Sequence, residues 1–186
     1  IAITASHNPE DWNALKFIDE NGTFLTSTRA AELYDIYHQR EFKMVPEHDL
    51  AEPSAPRDCV DIHFQAISNY VDLDRIRDRR IRVAMDCCNG VGAIHTPRFL
   101  HLLNCDFVTC RELVTGTFDR APEPLPENLE TVCELVKSHD ADVGFAQDPD
   151  GDRLAIIDET GMPIGEDLTV ALAVRQVLDV HEKGPV

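Results

Sequence analysis

Three carboxylates stand close together in the segment Asp148-Pro149-Asp150-Gly151-Asp152-Arg153, which lies between two apolar stretches. Like charges about 4 Å apart repel by about 4 kcal/mol at an effective dielectric near 20, so a bound hard cation is the simplest compensation if the oxygens converge. Mg²⁺ prefers such oxygen ligands and often adds a phosphate oxygen to them. The segment therefore predicts a divalent-cation site, and a solvated acidic turn is the structural alternative.

Two other interpretations of this acidic loop stay open. Asp148, Asp150, Asp152 and Glu159 match positions one, three, five and twelve of a calcium-binding EF-hand loop. The match fails at position six, where Arg153 replaces the required glycine, and the flanking residues have the pattern of strands. A phosphatase that uses the first aspartate of a D-x-D loop as its nucleophile also fits Asp148, since an apolar strand precedes it.

A second reactive segment, Thr4-Ala5-Ser6-His7-Asn8-Pro9, places a hydroxyl just after a predicted strand. Pro9 restricts this loop, and Ser6 is a candidate nucleophile there, although it lacks the flanking glycines of a G-x-S-x-G elbow. We expect His7 to point away from Ser6, because successive side chains of an extended segment face opposite sides, which disfavours His7 as its base. A turn in which Ser6 and Asn8 hydrogen-bond the backbone is the structural alternative.

The elements that must position these two segments alternate between strands and helices. Hydrophobic periodicity predicts strands over residues 1–4, 81–85, 107–109, 143–146 and 154–157. It predicts helices around Phe64 and over residues 93–103, 127–137 and 166–180. Near the start, residues 15–18 and 23–25 flank an Asn21-Gly22 turn, and Ser27 or Thr28 caps a helix that ends at about Glu41. We expect an α/β protein: a mainly parallel sheet with helices on its faces, plus a partial N-terminal α/β domain.

Residues 46–57 are the best candidate for a linker, because they hold three prolines and few large apolar groups. The predicted organisation is a first part over residues 1–45, the linker, and a second domain over residues 58–186. Ile1 already lies within a strand-like pattern, so we interpret the chain as an excised piece.

Composition narrows the function classes. The 186 residues include 34 acidic and 17 basic side chains, which give a net charge of −17 and disfavour sequence-independent nucleic-acid binding. We find no signal peptide and no apolar run near the roughly 20 residues that cross a bilayer, so we expect no nucleic-acid or membrane partner. The six cysteines lack zinc-site spacings, which favours reduced thiols and a cytoplasmic location, with a Cys105–Cys110 disulfide left open.

Together the two reactive segments resemble those of the α-D-phosphohexomutase superfamily, which includes phosphoglucomutases, phosphomannomutases and phosphoglucosamine mutases. The similarity is carried by residues 4–9, then Trp12-Asn13-Ala14-Leu15-Lys16, then residues 148–153, in that order. It covers essentially the whole chain, including residues 86–92 and 116–129. Residues 12–17 and 122–129 are most similar to phosphoglucosamine mutases and to phosphoglucomutases of archaeal type. Ala14 is a departure, since relatives often carry glycine there.

The resemblance implies a Mg²⁺-dependent isomerase of four domains, of which this chain supplies the end of the first and the whole second. Its substrate would be a glucosamine, glucose or mannose 1- or 6-phosphate, and its partners the missing domains of the parent chain. We expect the chain alone to be inactive, because the family's sugar-recognition and late phosphate-binding loops are absent from it. The oligomeric state stays open.

The resemblance also implies a role for each residue of the site. The serine matching Ser6 is phosphorylated and exchanges its phosphoryl group with the sugar, and His7 flanks this nucleophile. A lysine near its ordinary pKa of about 10.4 is a poor base at neutral pH, so Lys16 as general base requires desolvation or a nearby cation. Arg153 matches the residue that pairs with the phosphoserine, with a salt bridge to its own acidic loop as the alternative. The implied metal ligands are Ser6, Asp148, Asp150 and Asp152.

Overall fold

A computed structural model describes residues 1–40, 42–52, 54–55 and 58–180. The chain divides into two compact units, one formed by Ile1–Thr4 and Asn13–Cys59 and the other by Ala5–Trp12 and Val60–Val186. The segment Ala5–Trp12 thus belongs to the second unit, where the carboxylate of Glu10 accepts a 3.2 Å hydrogen bond from the Phe118 amide. Residues 53, 56 and 57 of the expected linker lie outside the described residues, and the borders at 45 and 58 stay predictions.

In its described residues the first unit holds two short strands, one α-helix and a 3-10 turn, Glu47–Asp49. Strand β1 (Ala2–Ile3) pairs antiparallel with β2 (Leu15–Lys16). The predicted hairpin is present in reduced form, as one bridge between Ile18 and Phe24 around a turn in which Gly22 has φ 79°. Helix α1 (Ser27–Gln39) follows.

The cap of α1 corrects the sequence-based expectation. Thr26, rather than Ser27 or Thr28, is the N-cap, because its extended backbone lets its side chain accept the Arg29 amide at 3.4 Å. At the other end Arg40 adopts a left-handed conformation with φ 55° and ends the helix, and Glu41 lies outside the described residues.

The second unit is built on a four-stranded sheet of order β4-β3-β5-β6. Strand β3 (Arg82–Asp86) lies in the centre and pairs in parallel with both β4 (Asp106–Cys110) and β5 (Val143–Gln147). The edge strand β6 (Leu154–Ile157) runs antiparallel to β5. The sheet confirms the predicted α/β class with a mainly parallel sheet.

Among the described residues, five α-helices accompany this sheet. They are α2 (Val60–Ser68), α3 (Leu73–Arg79), α4 (Val91–Leu102), α5 (Glu130–Ser138) and α6 (Glu166–Val180). Helix α3 was not predicted as a separate element, because charged residues interrupt its two apolar positions, Leu73 and Ile76. Helix α5 begins later than residue 127, since Leu129 has non-helical backbone angles and separates it from a short 3-10 turn, Pro126–Asn128. In the described part of the chain no helix has the length and apolarity to span a bilayer.

One apolar cluster of the second unit lies between α5 and the sheet. Val132 and Val136 of α5 are fully buried, and Ala84 of β3, Ala146 of β5 and Ile157 of β6 belong to the same apolar cluster. Burying a side chain of this size contributes about 1.5–3 kcal/mol, so this packing holds the strands in register. The strand ends are thereby fixed in space.

The carboxyl ends of β3 and β5 lie side by side, because Asp86 pairs in register with Ala146. The chain leaves β3 toward β4 on one side and returns to β5 on the other, which makes this edge the point where strand order reverses. In open α/β sheets ligands bind beyond the carboxyl ends of strands at such a point. The acidic loop begins here, directly after β5.

Candidate active site

The acidic loop connects β5 to β6 and brings its three aspartates together. Among the described residues, Asp148, Asp150 and Asp152 form one group that could hold a metal ion, with one oxygen of each lying within 4.8 Å of the others. Asp148 is fully buried, Asp150 is partly buried and Asp152 is exposed. Burial raises the pKa of the Asp148 carboxyl above its ordinary value, and the neighbouring carboxylates of Asp150 and Asp152 raise it further.

The shape of this loop depends on close approach to the turn between β3 and α4. The Val91 amide donates to the Pro149 carbonyl at 2.9 Å. A Cβ atom on Gly90 would lie only 2.3 Å from that same carbonyl oxygen, so no larger residue fits at position 90 without movement of the loop. Gly151 has φ 76°, a left-handed conformation that glycine adopts at no steric cost. Gly90 thus serves a tight contact with the acidic loop.

Ser6 lies beside this loop within the second unit. Its Oγ donates to Asp148 Oδ2 at 3.5 Å, the outer limit of a hydrogen bond, across 142 positions of sequence. The backbone of Ser6 is left-handed, with φ 53°, so the segment is not extended at this point. The structure therefore joins the hydroxyl of one motif to the first carboxylate of the other.

The expectation that His7 points away from Ser6 is wrong. His7 Nδ1 lies 3.2 Å from Ser6 Oγ, because the left-handed conformation of Ser6 removes the alternation of an extended segment. On its other side His7 Nε2 lies 3.3 Å from Nη2 of Arg153. A guanidinium can only donate, so Nε2 accepts and the proton of a neutral His7 resides on Nδ1, facing Ser6. In this arrangement His7 Nδ1 donates a hydrogen bond to Ser6 Oγ, so Nδ1 has no free lone pair that could accept the Ser6 hydroxyl proton.

Arg153 connects the acidic loop to two other segments. Its backbone amide donates to Asp148 Oδ1 at 3.1 Å, while its guanidinium forms an ion pair with Glu123 and contacts His7. The structure thus shows a salt bridge from Arg153 to Glu123, outside the acidic loop, in addition to the bond from its amide to Asp148. The Arg153 side chain is 39% exposed, which leaves part of the guanidinium accessible to a ligand anion.

Lys16 is a member of the first unit. It lies on β2, where it pairs with Ala2, and it is partly buried. Its assignment as general base stays a prediction, as do the catalytic and metal-binding roles implied for the other site residues.

Three features near the site were missed at the level of sequence. Nothing in the local sequence around Glu123 indicates that it pairs with Arg153. Asp86 and Arg120 form a buried ion pair below the acidic loop, with Arg120 Nε 2.9 Å from Asp86 Oδ2. Their positions, 34 residues apart, carry no local periodic signal, although a charged residue at the end of an apolar strand could have marked Asp86.

The donor set fits a hard divalent cation of the magnesium type, since three carboxylates converge and no thiol is among them. The EF-hand interpretation finds no support in the geometry. The residues on both sides of the loop form strands β5 and β6, and β6 separates Glu159 from the three aspartates. An EF-hand requires helices at these positions and a ligand from its twelfth residue.

Comparison with known proteins gives matches along most of the chain. The family model described as phosphoglucomutase/phosphomannomutase, alpha/beta/alpha domain II matches residues 61–161, and the corresponding domain I model matches residues 1–44. A protein of Thermococcus kodakarensis named phosphoglucomutase/phosphomannomutase is 38% identical over 177 residues, which cover 95% of this chain and 39% of that protein.

Two further comparisons agree with these matches. A Methanopyrus kandleri protein named "Probable phosphoglucosamine mutase" is 32% identical over 194 residues, covering 100% of this chain and 40% of its own length. The crystal structure of a phosphoglucomutase/phosphomannomutase family protein from Burkholderia thailandensis superposes with a TM-score of 0.77 and 29% identity. That superposition covers 96% of this chain and 37% of the other. The chain thus spans about two fifths of the length of the curated relatives it matches.

Proposed function

Because the chain belongs to the phosphoglucomutase/phosphomannomutase family, we propose that it carries the nucleophile and the cation site of a phosphohexomutase. The observation that supports this most directly is the hydrogen bond from Ser6 Oγ to Asp148 within one unit of the fold. A hydroxyl beside three converging carboxylates suits phosphoryl transfer, which needs a positioned oxygen and neutralisation of charge.

The transfer proceeds from a phosphorylated Ser6. The bond between Ser6 Oγ and phosphorus breaks, its electrons pass to Oγ, and a hydroxyl oxygen of the hexose phosphate forms the new bond to phosphorus. The proton of that hydroxyl passes to a base, for which we propose Lys16. After the bisphosphate turns round, Ser6 Oγ takes the other phosphoryl group, and the sugar oxygen left behind recovers the proton.

The side chains around Ser6 stabilise charge during this exchange. His7 donates from Nδ1 to Ser6 Oγ, so the hydrogen bond strengthens as negative charge returns to that oxygen. The half-exposed guanidinium of Arg153 supplies a fixed positive charge beside His7 and can pair with the phosphoryl oxygens. Neither residue needs to accept a proton.

The cation site is formed by Asp148, Asp150 and Asp152, together with an oxygen on Ser6. The convergent carboxylates and the raised pKa of Asp148 support a site whose acidic groups gain from a divalent cation. When bound there, Mg²⁺ would neutralise the negative charge of the phosphoryl oxygens.

The substrate class we propose is a hexose phosphate, with glucosamine, glucose and mannose phosphates as the candidates. The names of the relatives support this range and do not select one sugar within it. The partners we propose are further domains of a longer chain, since the curated relatives are about two and a half times as long. Six free thiols agree with a reducing compartment such as the cytoplasm.

Phosphopeptide mass spectrometry of the chain purified from producing cells tests the proposal. We expect phosphate on Ser6, its loss in Ser6→Ala, and its retention in Ser138→Ala, a control serine whose hydroxyl bonds to the Glu134 carbonyl at the end of α5. A phosphate on Asp148 that hydroxylamine removes would instead indicate a D-x-D phosphatase, because hydroxylamine cleaves acyl phosphates. Absence of phosphate from both residues, with Ca²⁺ bound more tightly than Mg²⁺, would indicate a calcium module.

A further inference from the structure

A buried cluster of charges lies directly below the acidic loop. Asp86, the last residue of β3, is fully buried, and its Oδ2 accepts from Arg111 Nη1 at 2.8 Å and from Arg120 Nε at 2.9 Å. Its other oxygen accepts the Cys88 amide at 2.9 Å. The Arg120 side chain is only 4% exposed. A buried charge of this kind is stable only when its hydrogen bonds are satisfied, so the position of Arg120 is strongly constrained.

Arg120 uses its remaining donors on two backbone segments of the site. Its Nη2 donates to the Gln147 carbonyl at 2.6 Å, and Gln147 immediately precedes Asp148. Its Nη1 donates to the Pro122 carbonyl at 2.9 Å, and Pro122 immediately precedes Glu123, the ion-pair partner of Arg153. The Arg120 guanidinium therefore binds the backbone just before Asp148, the first predicted cation ligand. It also binds the backbone just before Glu123, the ion-pair partner of Arg153.

We propose that Arg120, oriented by Asp86, is a positioning residue that sets the geometry of the cation loop and of Arg153. The inference rests on the proposed function, because it assigns Arg120 a role toward the cation. Groups that orient metal ligands from behind affect metal affinity by about 10- to 100-fold when they are changed. The planar guanidinium directs several donors along fixed lines, whereas a lysine ammonium in the same place supplies only three from a single atom.

The test measures Mn²⁺ binding to the 186-residue chain by electron paramagnetic resonance of free Mn²⁺, which needs no catalytic turnover. Arg120→Lys keeps the positive charge but removes the planar guanidinium with its several donors. We expect the dissociation constant for Mn²⁺ to rise by about 10-fold or more. Arg82→Lys is the matched control: Arg82 begins the same strand that Asp86 ends, and it pairs with Asp142 at 3.3 Å with both side chains half exposed. We expect that control to stay within about 2-fold of the original chain, because its pair is solvated.

A second variant and a second measurement separate positioning from general stability. Asp86→Asn retains an oxygen for the Cys88 amide but removes the charge that orients Arg120, and we expect it to weaken Mn²⁺ binding in the same direction. Thermal unfolding without metal is recorded for every variant. A purely structural role would lower the melting temperature and leave the dissociation constant of the folded protein unchanged.

The outcomes distinguish this inference from the function on which it rests. If the original chain binds Mn²⁺, Asp148→Asn does not, and both Arg120→Lys and Asp86→Asn bind as the original does, then the positioning role is overturned while the cation site stands. If the original chain binds no Mn²⁺ or Mg²⁺, the proposed cation site fails and the positioning role fails with it. Weakened binding in both variants, with Arg82→Lys unchanged, supports the inference.

Discussion

Asp148→Asn should stabilise the metal-free protein at neutral pH while it abolishes cation binding. Asp148 is buried beside two further carboxylates, and both burial and these neighbours raise its pKa above the ordinary value of 3.8. At pH 7 the ionised carboxylate is therefore unfavourable in the folded protein. Asparagine keeps an oxygen that can accept the Arg153 amide, so the substitution removes charge with little loss of hydrogen bonding.

The magnitude follows from the separation of the carboxylates. Two oxygens at the upper separation of 4.8 Å repel by about 3.5 kcal/mol at an effective dielectric near 20. Asp152 is exposed and Asp150 only partly buried, so solvent screens much of this repulsion. We expect a net gain of about 1–2 kcal/mol in the free energy of unfolding, which corresponds to a rise in melting temperature of about 2–8 °C for a domain of this size.

The pH dependence has a definite sign. Because the folded-state pKa of Asp148 is raised, its protonated form adds stability that is fully present below about pH 3.8 and is lost as pH rises through the folded-state pKa. The advantage of Asp148→Asn should therefore be largest near pH 7 and shrink as pH falls toward 4. Urea unfolding in EDTA at a series of pH values measures this difference, and Mg²⁺ added at pH 7 should stabilise only the original chain.

Glu159→Gln is the control for this experiment. Glu159 is exposed in the turn after β6, and its substitution should change the free energy of unfolding by no more than about 0.5 kcal/mol and leave cation binding intact. If Asp148→Asn instead destabilised the EDTA-treated chain at pH 7 by 1 kcal/mol or more, repulsion among the carboxylates would not be the dominant contribution at this site. The reasoning from burial and like charge would then be refuted.

Two further predictions concern the surroundings of the site. Gly90→Ala should lower the free energy of unfolding by about 1–3 kcal/mol and weaken cation binding, because the new Cβ would lie 2.3 Å from the Pro149 carbonyl oxygen. An unchanged midpoint of urea unfolding would contradict this steric contact. Burial raises the pKa of the Cys87 thiol to about 12. A thiol reagent at pH 8 should therefore label the exposed Cys59 within minutes and label Cys87 only after the chain unfolds. Equal labelling rates of the two thiols in the folded chain would show that Cys87 is accessible.

Elements with a strong local pattern were predicted closely. Strand β6 and helix α6 have the predicted bounds, since an apolar run between turn residues and a long amphipathic stretch each leave a local signal. The predicted ends of helices differ from the structure where a single backbone conformation or contact sets the end of the helix. Thr26 caps α1 because its own backbone is extended, and Leu129 separates a 3-10 turn from α5. Neither conformation is encoded in hydrophobic periodicity.

By itself the sequence determined the chemical inventory of this protein: a serine in a proline-restricted loop, three alternating aspartates, and an α/β alternation of elements. These are properties of residue type and short spacing. Only the tertiary structure decided that Ser6 Oγ hydrogen-bonds Asp148 and that His7 Nδ1 lies beside Ser6 Oγ. It also decided that Arg120 hydrogen-bonds the Gln147 and Pro122 carbonyls. Contacts such as these depend on the order and register of parallel strands and on single backbone conformations, which bring together residues that the chain keeps far apart.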